Sequence, residues 1–210
     1  MLSPELSIDI HNIAVRKAIA GIDYEKALSV RWAGYGKYFT DQAMINDRFD
    51  AQKNCTLLLA TDARNDSPIG TLRILDRQVG SIELDQFLDV GQLIPADGHP
   101  IAEATRFSVP ISPSAHIIKL ALWKAFWLYC CSNGIHTMLI WTRQSAARDY
   151  KRLFFSSVGS SGVFAHPLLG NIEHHTYILD VESAIRCYED TNHPLYTFFV
   201  RDAHPQIQFS

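Results

Sequence analysis

The longest apolar run of the chain, from Ile117 to Cys131, lies between two segments that are predicted to be β-strands. Lys119 and Lys124 interrupt the run, which is also shorter than a bilayer span requires, so it predicts a buried helix. The flanking segments, 101–109 and 137–142, are typical of strands. A helix that connects two neighbouring strands of one sheet makes them parallel. This crossover predicts an α/β fold, in which helices cover a central sheet.

Further strands and helices are predicted around this crossover. In the first half of the chain we expect a strand within 8–19, then a helix that Asp23 caps and that ends near Tyr38, and then a hairpin of 55–61 and 68–75. A surface segment at 76–99 follows the hairpin. In the second half we expect a helix at 144–155 and one or two strands within 158–181. Together they predict a mixed sheet with helices on both faces.

Composition and charge limit what the chain can do. Its 210 residues, 47% of them hydrophobic, can bury one sizeable core, so we expect a single domain over 1–210, with a core of about 8–181 and a C-terminal extension of about 182–210. The formal net charge of -3 argues against a nucleic-acid partner. The N-terminus lacks a basic region followed by an apolar one, so we expect a cytoplasmic protein with no membrane span. The histidines show no HxxxH or HExxH spacing, and no metal site is expected.

An acid and a base stand three residues apart in the predicted strand 101–109, at Glu103 and Arg106. Side chains three apart on a strand point to opposite faces unless the strand bends, so at least one of the two needs partners from elsewhere in the chain. A structural ion pair or two solvated charges would also explain them. A carboxylate near a reacting amine can act as a general base, and this is the role that we predict for Glu103.

Four short motifs resemble those of acyl-homoserine lactone synthases and the related long-chain N-acyl amino acid synthases. The E-x-x-R-F/L-x-V strand of these families is matched by Glu103, Arg106, Phe107 and Val109, their D-x-x-D element by Asp47 and Asp50, their helix arginine by Arg31, and their strand arginine by Arg73. The order of elements, and a late helix that carries Tyr150, resemble the wider GNAT acetyltransferase superfamily.

Two departures refine this resemblance. Residues 108–114 lack the glycines of the usual pyrophosphate loop, and Ile45 stands where lactone synthases have an acidic residue. The amino acid synthase branch is therefore the better match.

The resemblance implies an N-acyltransferase with a GNAT-like, mostly antiparallel sheet, which moves a medium or long fatty acyl group to the amine of an amino acid. Its implied catalytic residues are Glu103, Arg106 and Tyr150, with Tyr150 as the acid for the leaving thiol, although core packing would also explain this tyrosine. Main-chain N–H groups near Phe107 would stabilise the oxyanion. The residues implied to bind substrate are Arg31, Tyr35, Tyr38, Asp47, Asp50, Arg73, Phe107, Ser108 and Val109.

A charged cluster is expected from the arginines at 31, 73 and 106 and the aspartates at 47 and 50. One of its arginines could pair with the carboxylate of the acceptor in a bidentate manner. A buried ion network that serves only the structure explains these residues equally well.

The donor is predicted to be an acyl-phosphopantetheine thioester, carried by acyl carrier protein or by CoA, and no tightly bound cofactor is expected. A basic patch would suit an acidic acyl carrier protein, although a run of charges is often only a solvated helix face. The residues predicted at this end of the site are Ser112, Ser114, Arg143, Arg148, Lys151 and Arg152, with Lys119 and Lys124 beside them. The fatty chain would lie against Trp123, Phe126, Trp127 and Tyr129, or against Leu57, Leu59, Leu72 and Ile74, all of which core packing also explains.

Three other functions stay open: an acyl-homoserine lactone synthase, an acetyl-CoA-dependent acetyltransferase, and a non-enzymatic module that binds acyl thioesters. Ile45 counts against the first, because a cationic sulfonium acceptor would lose a charge partner there. The missing glycines count against the second, and the presence of Glu103 with Arg106 against the third. We expect a free hydrophobic or aromatic amino acid as acceptor, bound near Ile45, Phe49 and the tyrosines at 35 and 38.

Overall fold

A computed structural model describes residues 9–19, 21–39, 41–94 and 99–209. These residues form one sheet of nine strands: β1 Ile13–Lys17, β2 Cys55–Asp62, β3 Pro68–Asp76, β4 Ile101–Ser108, β5 Thr137–Thr142, β6 Ser156–Ser157, β7 Val163–His166, β8 Ile172–Asp180 and β9 Ile207–Gln208. The α-helices are α1 Ile22–Tyr35, α2 Val90–Leu93, α3 Ala115–Ser132, α4 Ala147–Lys151 and α5 Val181–Asp190. None of these helices is long and apolar enough to cross a membrane.

The strands lie in the order β6, β8, β5, β4, β3, β2, β1, β9, and β7 also pairs with β8. Among the described strands, the pairs β4–β5 and β1–β9 are parallel, and the other pairs are antiparallel. The helix α3 connects β4 to β5, which is the crossover that the apolar run predicts. The predicted α/β class with a mostly antiparallel sheet is confirmed.

Helices cover both faces of the sheet. Leu57 and Leu59 of β2 pack with Ala27 of α1, whereas Leu58, between them, belongs to the core cluster that includes α3. Successive side chains of a strand point to opposite faces, so α1 and α3 lie on opposite sides. The functional residues of β4 and β5 are therefore enclosed between two helical layers.

The helix starts and ends differ from the predictions in two places. Asp23 does not cap α1, because its carboxylate accepts hydrogen bonds of 2.7 and 2.8 Å from the guanidinium of Arg16. A charge-assisted bidentate pair is stronger than a cap to a backbone N–H group. The helix predicted over 144–155 is α-helical only over α4, and the chain leaves helical geometry by Phe154, whose φ is 65°. Phe155 is then buried in the main core from a non-helical segment.

Two segments are more integrated than predicted. The segment 76–99 does not simply cross the surface, because Ile82, Leu84 and Val90 form a second core cluster; its residues 95–98 lie outside the described residues. The predicted extension after 181 adds β9 beside β1 and places Phe198 in the main core. Apolar residues in a loop or tail are buried when the sheet leaves a face uncovered.

Close approach of α1 to β4 requires a glycine at position 34. A Cβ atom there would overlap with the Ser108 hydroxyl, which donates a 2.8 Å hydrogen bond to the carbonyl of Val30. We expect Gly34→Ala to lower the free energy of unfolding by about 1–3 kcal/mol, since overpacking forces the helix away from the strand. Denaturant titration measures this change. Gly34→Ala combined with Ser108→Gly should recover part of the loss, and equal stability of wild type and Gly34→Ala would contradict the argument.

Candidate active site

The strand β4 bends at Arg106. On β3, Thr71 and Arg73 pair with Ser108 and Thr105, so two residues of β4 oppose one residue of β3, which is a β-bulge. Arg106 has φ of 52°, a left-handed conformation that is uncommon for a residue with a side chain. The bend turns Arg106 to the same face as Glu103, where both contact Glu83.

A cavity of about 640 Å³ opens where β4 and β5 separate. Their parallel pairing ends at Ala104 and Ile140, and the residues that follow on both strands line the cavity. Beyond Ala104 the main chain of β4 has no partner on β5 in this register. Apart from the Phe107 carbonyl, which accepts from Tyr35, the groups that face β5 there are available to an extended ligand. The cavity also follows α3 from His116 to Trp123.

Three arginines and three carboxylates form a buried cluster beside the bulge, here called the ion network: Arg31, Arg73, Arg106, Asp47, Asp50 and Glu83. Arg31 binds Asp50 through two hydrogen bonds of 2.8 Å. Arg73 binds Asp47 and Glu83, each at 2.6 Å, and Arg106 binds Asp47 at 2.6 Å. Each guanidinium thus has carboxylate partners within the protein, and the geometry favours a structural ion network over a binding site for the carboxylate of an acceptor.

The ion network controls the protonation of its carboxylates. Burial opposes the ionisation of Glu83, but Arg106 and Arg73 hold its pKa below the usual range. Likewise, burial opposes ionisation of Asp50, and hydrogen bonds from Arg31 lower its pKa. Both groups are therefore charged, and with Asp47 the network has three carboxylates for its three arginines.

Glu103 is a fully buried carboxyl next to the network, and it makes no ion pair with an arginine among the described residues. It accepts hydrogen bonds from the backbone N–H groups of Glu83 and Leu84, at 2.6 and 3.1 Å, and from Nε1 of Trp141 at 2.7 Å. Burial and the charge of Glu83 raise its pKa to about 8. Near neutral pH this carboxyl can therefore gain or lose a proton.

Trp141 lies between Glu103 and the cavity. The tryptophan lines the cavity, whereas Glu103 is fully buried and does not. A proton can therefore pass between Glu103 and a bound substrate only through water or another group. The role of Glu103 as general base stays a prediction.

Several of the predicted site residues meet at the cavity and others do not. Those that line it are Tyr35, Tyr38, Arg106, Phe107, Ser108, Val109, Arg143, Tyr150 and Arg152. Those outside its lining are Glu103, Arg31, Asp47, Asp50, Arg73, Ser112, Ser114, Arg148 and Lys151. Ser112 and Ser114 are exposed before α3. Ile45 and Phe49, which the sequence predicts for an apolar acceptor surface, are buried outside this lining.

Three of the tyrosines line the cavity: Tyr35, Tyr38 and Tyr150. The Tyr35 hydroxyl donates a 2.7 Å hydrogen bond to the carbonyl of Phe107 and so fixes the end of the bulge. The Tyr38 hydroxyl accepts a 2.6 Å hydrogen bond from Arg143, which lowers the pKa of the tyrosine. Burial raises the pKa of Tyr150, so its hydroxyl stays protonated and can donate to a leaving sulfur.

The predicted basic patch is smaller than expected. Arg148, Lys151 and Arg152 are exposed on and after α4, but Arg143 is partly buried against Tyr38. Lys124 is buried, donates to the carbonyl of Phe199, and has a pKa lowered to about 8 by burial. A charged residue in an apolar run can point inward when one carbonyl accepts from it.

Most of the residues predicted to line the acyl channel do not line the cavity. Of the two sets of apolar residues proposed for it, Trp123 alone lines the cavity; Phe126, Trp127, Leu57, Leu59, Leu72 and Ile74 are packed in the core clusters, and Tyr129 packs at the edge of the main one. The apolar lining that the sequence did not reveal comes from Leu120, Leu153, Leu169 and Leu195. These residues lie in separate elements, so no periodicity connects them.

Sequence reasoning also missed polar residues. Glu83 belongs to the ion network, and its signal was an acid between Ile82 and Leu84, both of which are buried. His116, Lys119 and His174 line the cavity. The histidine spacing in the sequence bears only on metal binding and does not indicate that these side chains line a cavity. Among the described residues no cluster suited to a metal is found.

The family model of the N-acyl amino acid synthase FeeM matches residues 30–171. No curated protein matches the sequence.

Solved structures show the same fold at low identity. The structure of FeeM, an N-acyl amino acid synthase from uncultured soil microbes, has 15% identity and a TM-score of 0.69, covering 83% of this chain and 93% of that one. BjaI, a CoA-dependent acyl-homoserine lactone synthase, has 15% identity and a TM-score of 0.62, covering 94% and 93%. An aminoglycoside 6'-acetyltransferase type Ii has 11% identity and a TM-score of 0.56, covering 80% and 96%. The predicted GNAT-like fold is confirmed.

Glu103 should make the stability of the protein depend on pH. Its folded pKa of about 8 lies above its ordinary value of 4.5, so the folded state holds a proton that the unfolded state has released between these values. The free energy of unfolding should therefore fall as pH rises from 5 to 8, by up to about 1.4 kcal/mol per pH unit from this group. Urea titrations of wild type and Glu103→Gln at each pH measure the difference. A difference that does not change with pH would contradict this assignment.

Proposed function

Because this chain belongs to the N-acyl amino acid synthase FeeM family and is an N-acyltransferase, we propose that it moves a medium or long fatty acyl group from a phosphopantetheine thioester to the amine of an amino acid. The observation that carries this proposal is the cavity between β4 and β5, with main-chain groups along one wall and apolar side chains along another. Such a lining suits a donor that has both amide groups and a hydrocarbon chain.

The donor would enter along β4 and α3. Unpaired main-chain groups after Ala104 can bind the amides of the pantetheine arm, as an added strand would. His116 and Lys119, near the start of α3, can contact its phosphate, and this end of a helix also favours an anion. The acyl chain would lie against the leucines at 120, 153, 169 and 195 and against Trp123.

The reaction would take place at the bulge. The amine attacks the thioester carbonyl, and backbone N–H groups freed by the bulge near Phe107 can donate to the oxyanion. The Tyr150 hydroxyl, which stays protonated, can donate a hydrogen bond to the sulfur as the C–S bond breaks. Arg106 would hold the bulge in place through Asp47 and Glu83 rather than contact the acyl group.

The acceptor would bind near Arg143 and Tyr38. Arg143 lines the cavity and is outside the ion network, so its guanidinium can bind a carboxylate of the acceptor in addition to the Tyr38 hydroxyl. This position replaces the arginines of the ion network as the proposed carboxylate site, because those already bind carboxylates of the protein.

We expect the purified protein to acylate a free hydrophobic or aromatic amino acid. Thiol release is measured with dodecanoyl-CoA and with dodecanoyl carrier protein, against each amino acid and S-adenosylmethionine in turn, and mass spectrometry identifies the product. Turnover only with S-adenosylmethionine would indicate a lactone synthase, and turnover only with acetyl-CoA an acetyltransferase. Binding of the thioester without turnover of any acceptor would indicate a non-enzymatic module.

The exposed charges of α4 should distinguish the two donors. If Arg148 and Lys151 contact an acidic carrier protein, Arg148→Glu with Lys151→Glu should raise the KM for acyl carrier protein about tenfold, more strongly at low salt, and leave the KM for acyl-CoA nearly unchanged. Reversal of two distant exposed arginines, Arg64→Glu with Arg186→Glu, is the matched control. An equal loss with both donors would contradict carrier-protein docking at α4.

A further inference from the structure

His174 is a buried histidine that lines the cavity. It lies on β8, two residues before Thr176, which pairs with Trp141 of β5. Residues two apart on a strand share a face, and the His174 and Trp141 rings meet edge to face at 5.2 Å between centroids. The histidine therefore lies next to the tryptophan that separates Glu103 from the cavity.

The tautomer of His174 follows from its hydrogen bond. Nδ1 lies 2.8 Å from the carbonyl oxygen of Ile172, and because a carbonyl only accepts, Nδ1 carries the proton. In the neutral ring Nε2 then has a free lone pair. No hydrogen bond between described residues involves Nε2, so this lone pair is available to a ligand in the cavity.

The surroundings of His174 keep its ring neutral. Burial lowers its pKa below the ordinary value of 6.5, and the carbonyl of Ile172 opposes this effect. The charged or titratable groups that face it are His166 of β7, Arg143 after β5 and His175 on the same strand, and all three lower the pKa further. A neutral imidazole at neutral pH is the form that can take a proton.

We propose that His174 takes the proton of the acceptor amine directly, as the general base of the acyl transfer. This inference depends on the proposed function. The N–C bond forms between the neutral amine and the thioester carbonyl carbon, and one amine proton moves to Nε2. The C–S bond then breaks, and the imidazolium gives that proton to the thiolate. The products are the amide and the free thiol, and His174 returns to its neutral form.

Glu103 has a different part in this scheme. Its carboxyl holds Nε1 of Trp141 at 2.7 Å, and Trp141 in turn packs against His174. Glu103 is then a positioning residue, which fixes the tryptophan and through it the imidazole. If Glu103 were instead the base, turnover would require its ionised form and would rise with pH through about 8.

The test compares His174→Ala, His174→Gln and Glu103→Gln with wild type, using dodecanoyl-CoA and the acceptor amino acid that wild type prefers. We expect both His174 variants to lower kcat by a factor on the order of 100 or more, as loss of a positioned base usually does. Both should still bind dodecanoyl-CoA, which calorimetry measures. His175→Ala is the matched control, because His175 is the next residue of the same strand and its Nε2 binds Glu173 at 2.9 Å.

Chemical rescue distinguishes a base from a structural residue. Added imidazole should restore turnover by His174→Ala, and a series of substituted imidazoles should restore it in proportion to their basicity. The same imidazoles should not restore turnover by His174→Gln, because the glutamine side chain fills the space that the imidazole ring of His174 occupies in wild type. A packing defect filled by imidazole would show no dependence on basicity.

The pH profile of kcat/KM gives an independent readout. Ionisation of the amine affects every variant equally. Protonation of His174 should add an acid limb below pH 6.5, which the wild-type profile has and the His174→Gln profile lacks. Turnover by His174→Gln within about threefold of wild type would overturn the inference while the proposed function stands. A limb near pH 8 in the pH profile of kcat/KM that only Glu103→Gln removes would also overturn the inference. No turnover by wild type with any amino acid would instead overturn the proposed function itself.

Discussion

The ion network of three arginines and three carboxylates is the interaction on which the rest of the structure depends. It connects α1 through Arg31, β3 through Arg73, β4 through Arg106 and the segment after β3 through Glu83. Charges buried this deeply are tolerated only when every member has its partner, and removal of one partner from a buried pair typically costs about 3–5 kcal/mol. The network therefore sets the positions of these elements together rather than one at a time.

The bulge of β4 is the first consequence of this network. Arg106 adopts a positive φ, which costs on the order of 1–3 kcal/mol for a residue with a side chain. Its hydrogen bonds to Asp47 and Glu83 offset that cost. Because the strand bends here, it leaves β5 after Ala104, and the gap between the two strands becomes the cavity. The binding space is thus a result of electrostatics as much as of packing.

A titratable group lies on each side of Trp141, and the environment of each group sets its pKa. On the network side, burial and the charge of Glu83 raise the pKa of Glu103 to about 8. On the cavity side, His174 is kept uncharged by burial. Trp141 contacts both, so the orientation of its ring connects the charge balance of the ion network to the geometry of the cavity.

The sequence by itself determined the local structure, because helix and strand periodicity and turn residues act within a few positions. It predicted α3 between two parallel strands, the β2–β3 hairpin, and a bend between Glu103 and Arg106 if both were to share a face. Only the tertiary structure decided which side of Trp141 each titratable group occupies. His174 gave no local signal, and the only local sign of Glu83 was its place between two apolar residues, Ile82 and Leu84. A loop acid and one histidine of a strand acquire a function only through contacts with residues distant in the chain. Those contacts depend on how the bulge and the crossover bring separate elements together, and no spacing along the sequence encodes that distance.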